Sequence, residues 1–324
     1  MVYVLREVDD LMVPQWLVLQ LKNRYPMLQY FTGRPFGVEI EFYGLDYLMT
    51  PIDEGIIKPY CIKSKSVDGR FLDDLAKDYD LKVGASRDTW HFQDDTSIRG
   101  MGGAEFVSPI LRGIEGLMEV YSAFKLLCNI KDVKINRSCG FHVHHGVEPK
   151  HYGCRELKEL VRIVYPMENY FYLLIPGDRY SSETCKPIEI DVEKFLEIAC
   201  DKSTNEVSDI KKLWYSTENR YDPEAAPNPR YDKTRYHGLN LHSYWYHSTI
   251  EFRYHSAILK NVNEAMEWII FTQFLVELST GKVPTIDFYP SANKWMQTIY
   301  KIYLALGYKD RIRYIGSNQT CQVK

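Results

Sequence analysis

Three short stretches of this chain alternate polar and apolar residues with a period of two. They are Gly37-Val38-Glu39-Ile40-Glu41-Phe42, Cys139-Gly140-Phe141-His142-Val143-His144-His145 and Thr249-Ile250-Glu251-Phe252-Arg253-Tyr254-His255. A strand sends successive side chains to opposite faces. Glu39 and Glu41 therefore share a face, as do His142 and His144, and as do Thr249, Glu251, Arg253 and His255. The other faces carry Val38, Ile40 and Phe42, then Phe141 and Val143, then Ile250, Phe252 and Tyr254. His145 falls opposite His142 and His144 and is given no catalytic role. One cupped sheet could collect all three strands, apolar under helices on one side and lined with carboxylates, imidazoles and a guanidinium on the other. Carboxylates that close repel, so such a face needs cations, from metal ions or from Arg.

The 324 residues allow a large core, or one domain with a sizeable insertion. A hydrophobic share of 45% and a charged share of 26% are those of an ordinary globular protein. The net charge of −3 argues against a protein that grips phosphate backbones, so no nucleic-acid partner is expected. Seven cysteines, an odd count without paired spacing, fit a reducing compartment better than a disulfide framework. There is no signal-peptide pattern at the N-terminus, and no uncharged run approaches the roughly 18–20 residues of a membrane span. The expectation is a cytoplasmic protein with no membrane association.

Along the chain, residues 1–35 read as a lead-in, followed by a strand at 36–43. A turn at Asp68-Gly69-Arg70 precedes a short helix at 71–79. Strands at 90–98 and 104–108 join through the glycine-rich Arg99-Gly100-Met101-Gly102-Gly103. Ile114, Leu117, Met118, Tyr121, Phe124 and Leu127 recur at helical spacing. A strand at 132–145 and a helix at 154–174 follow, the helix stopped by Pro176-Gly177. The pattern then weakens over 178–234, where 192–199 and 207–215 suit short helices and Pro223, Pro227 and Pro229 mark a loop. This stretch reads as an insertion or lid, with Arg220, Arg230 and Arg235 in its second half. Strands at 238–244 and 248–254, joined by a short turn, precede helices at 263–278 and 292–306. Hairpins mixed with helices that do not strictly alternate favour an α+β fold with a largely antiparallel sheet.

Taken singly, the polar residues stay ambiguous. Glu39 and Glu41 alone suit a solvated sheet face as well as a pair of metal-directed carboxylates. Asp95 and Ser97, with Glu105 across the glycine turn, offer further oxygen ligands, but Asp95-Thr96-Ser97 is also a common turn. His142 and His144 share a face without any cysteine pair at zinc spacing. Glu251 and Arg253 could be an ordinary ion pair. Cys139 lacks an identifiable base and is read as a small residue before a glycine. The 25 tyrosines, dense over 214–255 with Trp, His and Arg, suit strand packing better than base stacking. The conjunction is more specific than any part.

The succession of Gly37 to Glu41, Asp95-Thr96-Ser97, Glu105-Phe106-Val107-Ser108-Pro109, Cys139 to His144, Asn240 and Thr249 to Arg253 resembles the amidoligases. These are carboxylate–amine ligases with the fold of glutamine synthetase and glutamate–cysteine ligase. The likeness covers about residues 36–280, a catalytic domain holding the 178–234 insertion, and leaves 281–324 as a C-terminal helical extension. It implies a curved, largely antiparallel sheet with helices on its outer face. It also implies ATP and two divalent ions, Mg²⁺ or Mn²⁺. Glu41, Asp95 and Glu105 would surround one ion, and Glu39, His142 and Glu251 the other. His144 would face the nucleotide phosphates and Arg253 the transferring phosphoryl group. Arg235 and Asn240 would lie near substrate or nucleotide. The partners implied are a small-molecule or peptide carboxylate and an amine, and related ligases often assemble as homo-oligomers.

That chemistry accounts for the residue types. A carboxylate is a poor electrophile until the γ-phosphoryl group of ATP makes it an acyl phosphate, and the crowded anions need cations around them. Hard cations favour oxygen ligands, hence carboxylates and an imidazole rather than thiolates. Two other activities use similar parts, a phosphotransferase on the same fold and a nucleotide-independent metal hydrolase. On an open sheet face, Glu39→Ala, Glu251→Ala or His142→Ala is expected to remove activity and leave the fold intact.

Overall fold

The computed structural model describes residues 31–45, 47–53, 56–59, 76–175, 179–201, 207–216 and 232–281. Its eight strands are β1 (Phe36–Phe42), β2 (Tyr47–Asp53), β3 (Ile56–Pro59), β4 (His91–Asp94), β5 (Ala104–Val107), β6 (Gly140–Gly146), β7 (Leu239–Asn240) and β8 (Thr249–Ser256). They form one open sheet in the order β2-β3-β4-β5-β1-β6-β8-β7, and every strand pairing is antiparallel. The three alternating stretches are thus adjacent central strands. Helices complete a mixed α and β architecture, as the mixed element order predicts. No helix among the described residues is long and apolar enough to cross a membrane.

The apolar face of those strands lies under the helices. Phe124 of α1 (Gly113–Asn129) meets Phe141 edge to face at 5.6 Å. Phe171, on a helix described below, meets Tyr254 at 5.0 Å. Trp268 of α7 (Val262–Ser279) lies 6.4 Å from Phe252. Val38, Ile40, Val143 and Ile250 are all buried between these layers. His145 is here too, its Nε2 2.8 Å from the Thr272 hydroxyl, on the face the alternation predicts. Arg34, ahead of β1, ties the chain to α7 through Glu277 at 2.6 Å.

Several expectations change. The helix expected at 154–174 is broken: α2 (Cys154–Val164) gives way to a 3₁₀ turn (Tyr165–Met167) before α3 (Glu168–Leu174). Pro166 lacks the amide hydrogen an uninterrupted α-helix would use there. The strand expected at 238–244 shrinks to Leu239–Asn240, because its second half and the turn expected after it form α6 (His242–His247), while β8 still pairs with β7. Ser248 ends that helix in a left-handed conformation, φ 55°, and turns the chain directly into β8. Strands β2 and β3 carried no signal in the sequence. The strand expected at 132–145 begins only at Gly140, and the 90–98 strand ends at Asp94. The glycine-rich turn does need its glycines: Gly102 has φ +68°, and a Cβ there would stand 2.1 Å from the Leu45 carbonyl oxygen.

His255 also leaves its expected face. Phe141 stands opposite His255 and Val143 opposite Phe252, so β8 carries one residue more than β6 between them. This bulge turns His255 under the helices, 5.4 Å from the Trp268 ring and 3.5 Å from Glu264. The expectation of free thiols is corrected as well, since Cys154 and Cys200 form a disulfide. They are 46 residues apart, and α4 (Val192–Glu197), packed against α2, brings them together. Of the 178–234 insertion, α4, then α5 (Ser208–Ser216) and a 3₁₀ turn at Lys233–Tyr236 are described, whereas residues 202–206 and 217–231, the 68–70 turn and the 292–306 helix lie outside the described residues.

Candidate functional site

Register builds the polar face. Glu39 stands opposite His142, Glu41 opposite Glu105, and Glu251 opposite both His144 and Asn240. Directly opposed residues share a face, with Cβ atoms about 4.5–5.5 Å apart, so seven polar side chains are forced into contact. Asp95 joins them from the turn after β4, where its carboxylate accepts the Ser97 N–H at 2.7 Å.

Two groups of ligand atoms result. Glu41, Asp95 and Glu105 each offer a carboxylate oxygen within 4.8 Å of the others, and Glu39, His144 and Glu251 do the same. The His142 ring lies between the groups. Its Nδ1 is 3.0 Å from Glu39 and 3.8 Å from Glu251, and its Nε2 is 3.3 Å from Glu41. The resemblance puts His142 in the second group and His144 on phosphate. Here His144 has the closer ligand geometry, with Nε2 3.3 Å from Glu39 and 3.6 Å from Glu251. Its Nδ1 lies 3.2 Å from the Thr249 hydroxyl, which fixes the ring so that Nε2 turns to the carboxylates.

The helix that replaced the expected strand serves this arrangement. The Ser243 hydroxyl of α6 touches that of Thr249, and the Ser243 N–H donates to the Asn240 side-chain Oδ1. The Asn240 amide in turn donates to Glu251. Arg253 donates to the other Glu251 oxygen at 2.6 Å and to the Thr184 carbonyl at 3.2 Å. Arg235 lies on the Lys233–Tyr236 turn with its guanidinium 4.9 Å from the centre of the Tyr236 ring. Arg220 and Arg230 lie outside the described residues.

The face is not open, contrary to the expectation. His142, Glu41 and Glu251 are buried, whereas the Glu39 side chain keeps 25% of its surface exposed. Burial sharpens the electrostatics. At Glu39, burial raises the pKa, but the His144 charge and hydrogen bonds from both histidines outweigh it and hold the carboxyl well below the usual range. Glu251 is also lowered: burial opposes, and the charges of Arg253 and His144 prevail. The reverse holds for His144, where the charges of Glu251 and Glu39 overcome burial and raise it. Glu105 has no such relief. Burial, then the charges of Glu39, Asp95 and Glu41, push it well above the usual carboxylate range.

Two residues that the sequence analysis passes over also approach the face. His91 stands opposite Val107, which stands opposite Glu39, and burial pushes its pKa down. Its place two residues before Gln93 in a strand could have singled it out. Arg179 is 1% exposed and reaches Gly140: a Cβ there would lie 2.8 Å from Arg179 Nη2 and 2.5 Å from His142 Nε2. The Gly140 N–H donates to Glu41, so the backbone, the imidazole and the guanidinium converge where only glycine fits.

A family model described as "Putative amidoligase enzyme" matches residues 32–276. The chain belongs to the amidoligase family. The family's name marks it as a ligase acting on substrates. No curated protein matches the chain. In this amidoligase the matched span contains every strand and every polar residue just described. Its donor set fits hard divalent cations: oxygen-rich, with an imidazole in one group and mutually repelling carboxylates in the other. The Nε2 atoms of His142 and His144 are buried without a hydrogen bond, facing carboxylates, which is where a cation would be accommodated.

Proposed function

We propose that this amidoligase is an ATP-dependent carboxylate–amine ligase that works through an acyl phosphate, on a fold like that of glutamine synthetase and glutamate–cysteine ligase. The observation that carries the reading is the pair of groups, Glu41/Asp95/Glu105 and Glu39/His144/Glu251, joined through the His142 ring on one sheet face. Two Mg²⁺ or Mn²⁺ ions held there would offset the charge of the triphosphate and of the bound carboxylate. The chain's own residues do the rest. Thr249 and Ser243 orient His144, and Asn240 and Arg253 fix both oxygens of Glu251. In this reading Arg253 contacts the transferring phosphoryl group, and Asn240 and Arg235 lie towards the nucleotide. The catalytic domain is 36–280, with 178–234 as its insertion. The substrate carboxylate oxygen attacks the γ-phosphorus and ADP leaves. An amine nitrogen then attacks the acyl carbon, phosphate leaves, and the nitrogen loses a proton as the amide forms.

Calorimetry with Mg²⁺ and a nonhydrolysable ATP analogue is the first test, and absence of binding ends the reading. Turnover is then followed by mass. A ligase joins carboxylate and amine with loss of one water and release of ADP and phosphate. A product heavier by a phosphate would mark a phosphotransferase, and turnover without nucleotide a metal hydrolase.

A further inference from the structure

Two guanidinium groups lie beside the carboxylate cluster, and their surroundings differ. The charge of Arg253 is met by Glu251 at 2.6 Å, and its Nε donates to the Thr184 carbonyl. Arg179 is buried as deeply, yet among the described residues its guanidinium makes one hydrogen bond, from Nη2 to the Arg253 carbonyl at 3.1 Å. Its Nε and Nη1 are buried without a hydrogen-bond partner, and among the described residues no carboxylate pairs with it. A guanidinium cannot shed its proton at any ordinary pH. An unmet charge with donors left over in a dry interior is strongly unfavourable unless something of opposite charge joins it. Neighbours such as Cys139 and Cys185 cannot supply that charge, because burial raises both thiols.

The position of Arg179 says what joins it. Its Nη2 and the Nε2 of His142 flank the empty side-chain space of Gly140, whose N–H donates to Glu41. Nε2 of His142 is itself buried without a hydrogen bond. The guanidinium thus borders the Glu41/Asp95/Glu105 group from a loop outside the sheet. A planar, forked donor suits a carboxylate or phosphoryl group, which can accept two parallel N–H bonds. We propose that Arg179 is a second anion-binding residue of this site beside Arg253, receiving an oxyanion of the substrates, either the terminal phosphoryl group of the nucleotide or the acceptor carboxylate. This rests on the two-ion ligase reading and adds to it a residue on a segment that no motif in the sequence marks. Arg253, paired with Glu251, keeps the phosphoryl contact proposed for it, and Arg179 brings a charge that no described carboxylate meets. Gly140 keeps the space between the imidazole and the guanidinium clear.

The test uses the full chain, with Mn²⁺, inorganic phosphate, acetate and a nonhydrolysable ATP analogue as calorimetric probes. Wild type is compared with Arg179→Gln and Arg179→Lys. Mn²⁺ affinity is expected to stay within about twofold in all three. Phosphate affinity in the presence of Mn²⁺ is expected to fall at least tenfold in Arg179→Gln and less in Arg179→Lys, which keeps the charge but not the fork. A matching loss for the ATP analogue, with acetate unchanged, identifies the anion as the terminal phosphoryl group. A loss for acetate, with the analogue unchanged, identifies it as the acceptor carboxylate. Phosphate binding that is indifferent to residue 179 overturns the proposal and leaves the ligase reading standing. Failure of wild type to take up Mn²⁺ overturns the two-ion reading itself. Should Arg179→Gln not fold, wild-type crystals soaked in Mn²⁺ and phosphate decide the matter. An anion on Nε and Nη1 of Arg179 supports the proposal, and one bound elsewhere refutes it.

Discussion

Under the helices, several buried polar side chains each meet a complement. Glu277 accepts from Arg34 and from the Thr32 hydroxyl, Tyr152 meets Ser279, and His145 meets Thr272. Glu168 accepts the Tyr254 hydroxyl at 2.8 Å and the Ile188 N–H at 3.0 Å. Across the sheet, five carboxylates, from Glu39, Glu41, Asp95, Glu105 and Glu251, crowd around two imidazoles and two guanidiniums. One end balances itself with His144 and Arg253. The other holds three carboxylates, and burial with the charges of Glu39, Asp95 and Glu41 raises Glu105 well above the usual carboxylate range. A sheet selected for stability alone would resemble its helical face on both sides. The cost on the other face marks where stability gives way to chemistry.

Paired substitutions on the two faces should separate these roles most widely. Arg34→Ala leaves Glu277 buried without its cation, and a loss of about 3 kcal/mol in urea-unfolding free energy is expected. Turnover per folded molecule should hardly change. Glu39→Gln should do the reverse, cutting kcat by on the order of 10²–10³-fold with little change in stability, because that side chain is partly exposed. Equal stability losses in both variants would erase the contrast. Glu251→Ala is a poor choice for this purpose, since it also strands the buried Arg253.

The helical face has its own pH dependence. Burial pushes Glu168 up to about 8, against the hydrogen bonds from Tyr254 and Ile188, while the unfolded chain returns it to an ordinary carboxylate value. A raised folded pKa means the native state binds the extra proton. The contribution is complete below about pH 4.5 and is lost as pH rises through about 8, at up to about 1.4 kcal/mol per unit. Glu168→Gln keeps the acceptor oxygen and removes the titration. The wild-type-minus-variant difference in urea midpoint should therefore fall between pH 5 and pH 8. A difference that stays flat over that range would mean Glu168 is charged in the folded protein.

The same contrast explains what could be read from the sequence. Strands β1, β6 and β8 and helix α1 are legible because each has a regular apolar period, and α7 because it is a long run of helix formers buried on nearly every side, while every carboxylate and imidazole of the cluster lies on or beside one of those strands. What escapes reading depends on the partner strand or on residues far along the chain. His255 changes face because β8 has one residue more than the stretch of β6 it faces, which alternation within β8 cannot reveal. Residues 242–244 read as the end of a strand and 245–247 as a turn, yet all six fold as a helix that sets Ser243 beside Thr249. The Cys154–Cys200 bond joins residues from two different helical segments. Arg179 comes from a stretch without period and matters only through its approach to Gly140.

The smallest expected effect tests the asymmetry within the polar face. In Glu105→Gln one carboxylate leaves the group in which Glu41, Asp95 and Glu39 raise its pKa. Because burial and those charges disfavour the ionised carboxyl, the substitution relieves repulsion, and the metal-free form should gain on the order of 1 kcal/mol near neutral pH. Glu39→Gln at the balanced end removes a carboxylate that His144 and His142 stabilise, and should give no such gain. With Mg²⁺ the order reverses, since wild type gains stability from ion binding that Glu105→Gln largely forgoes. The measurement is a pair of unfolding curves for each protein, with EDTA and with Mg²⁺. Should Glu105→Gln destabilise the metal-free protein, its carboxyl is a hydrogen-bonded structural group, and the three-carboxylate end is not strained for a cation.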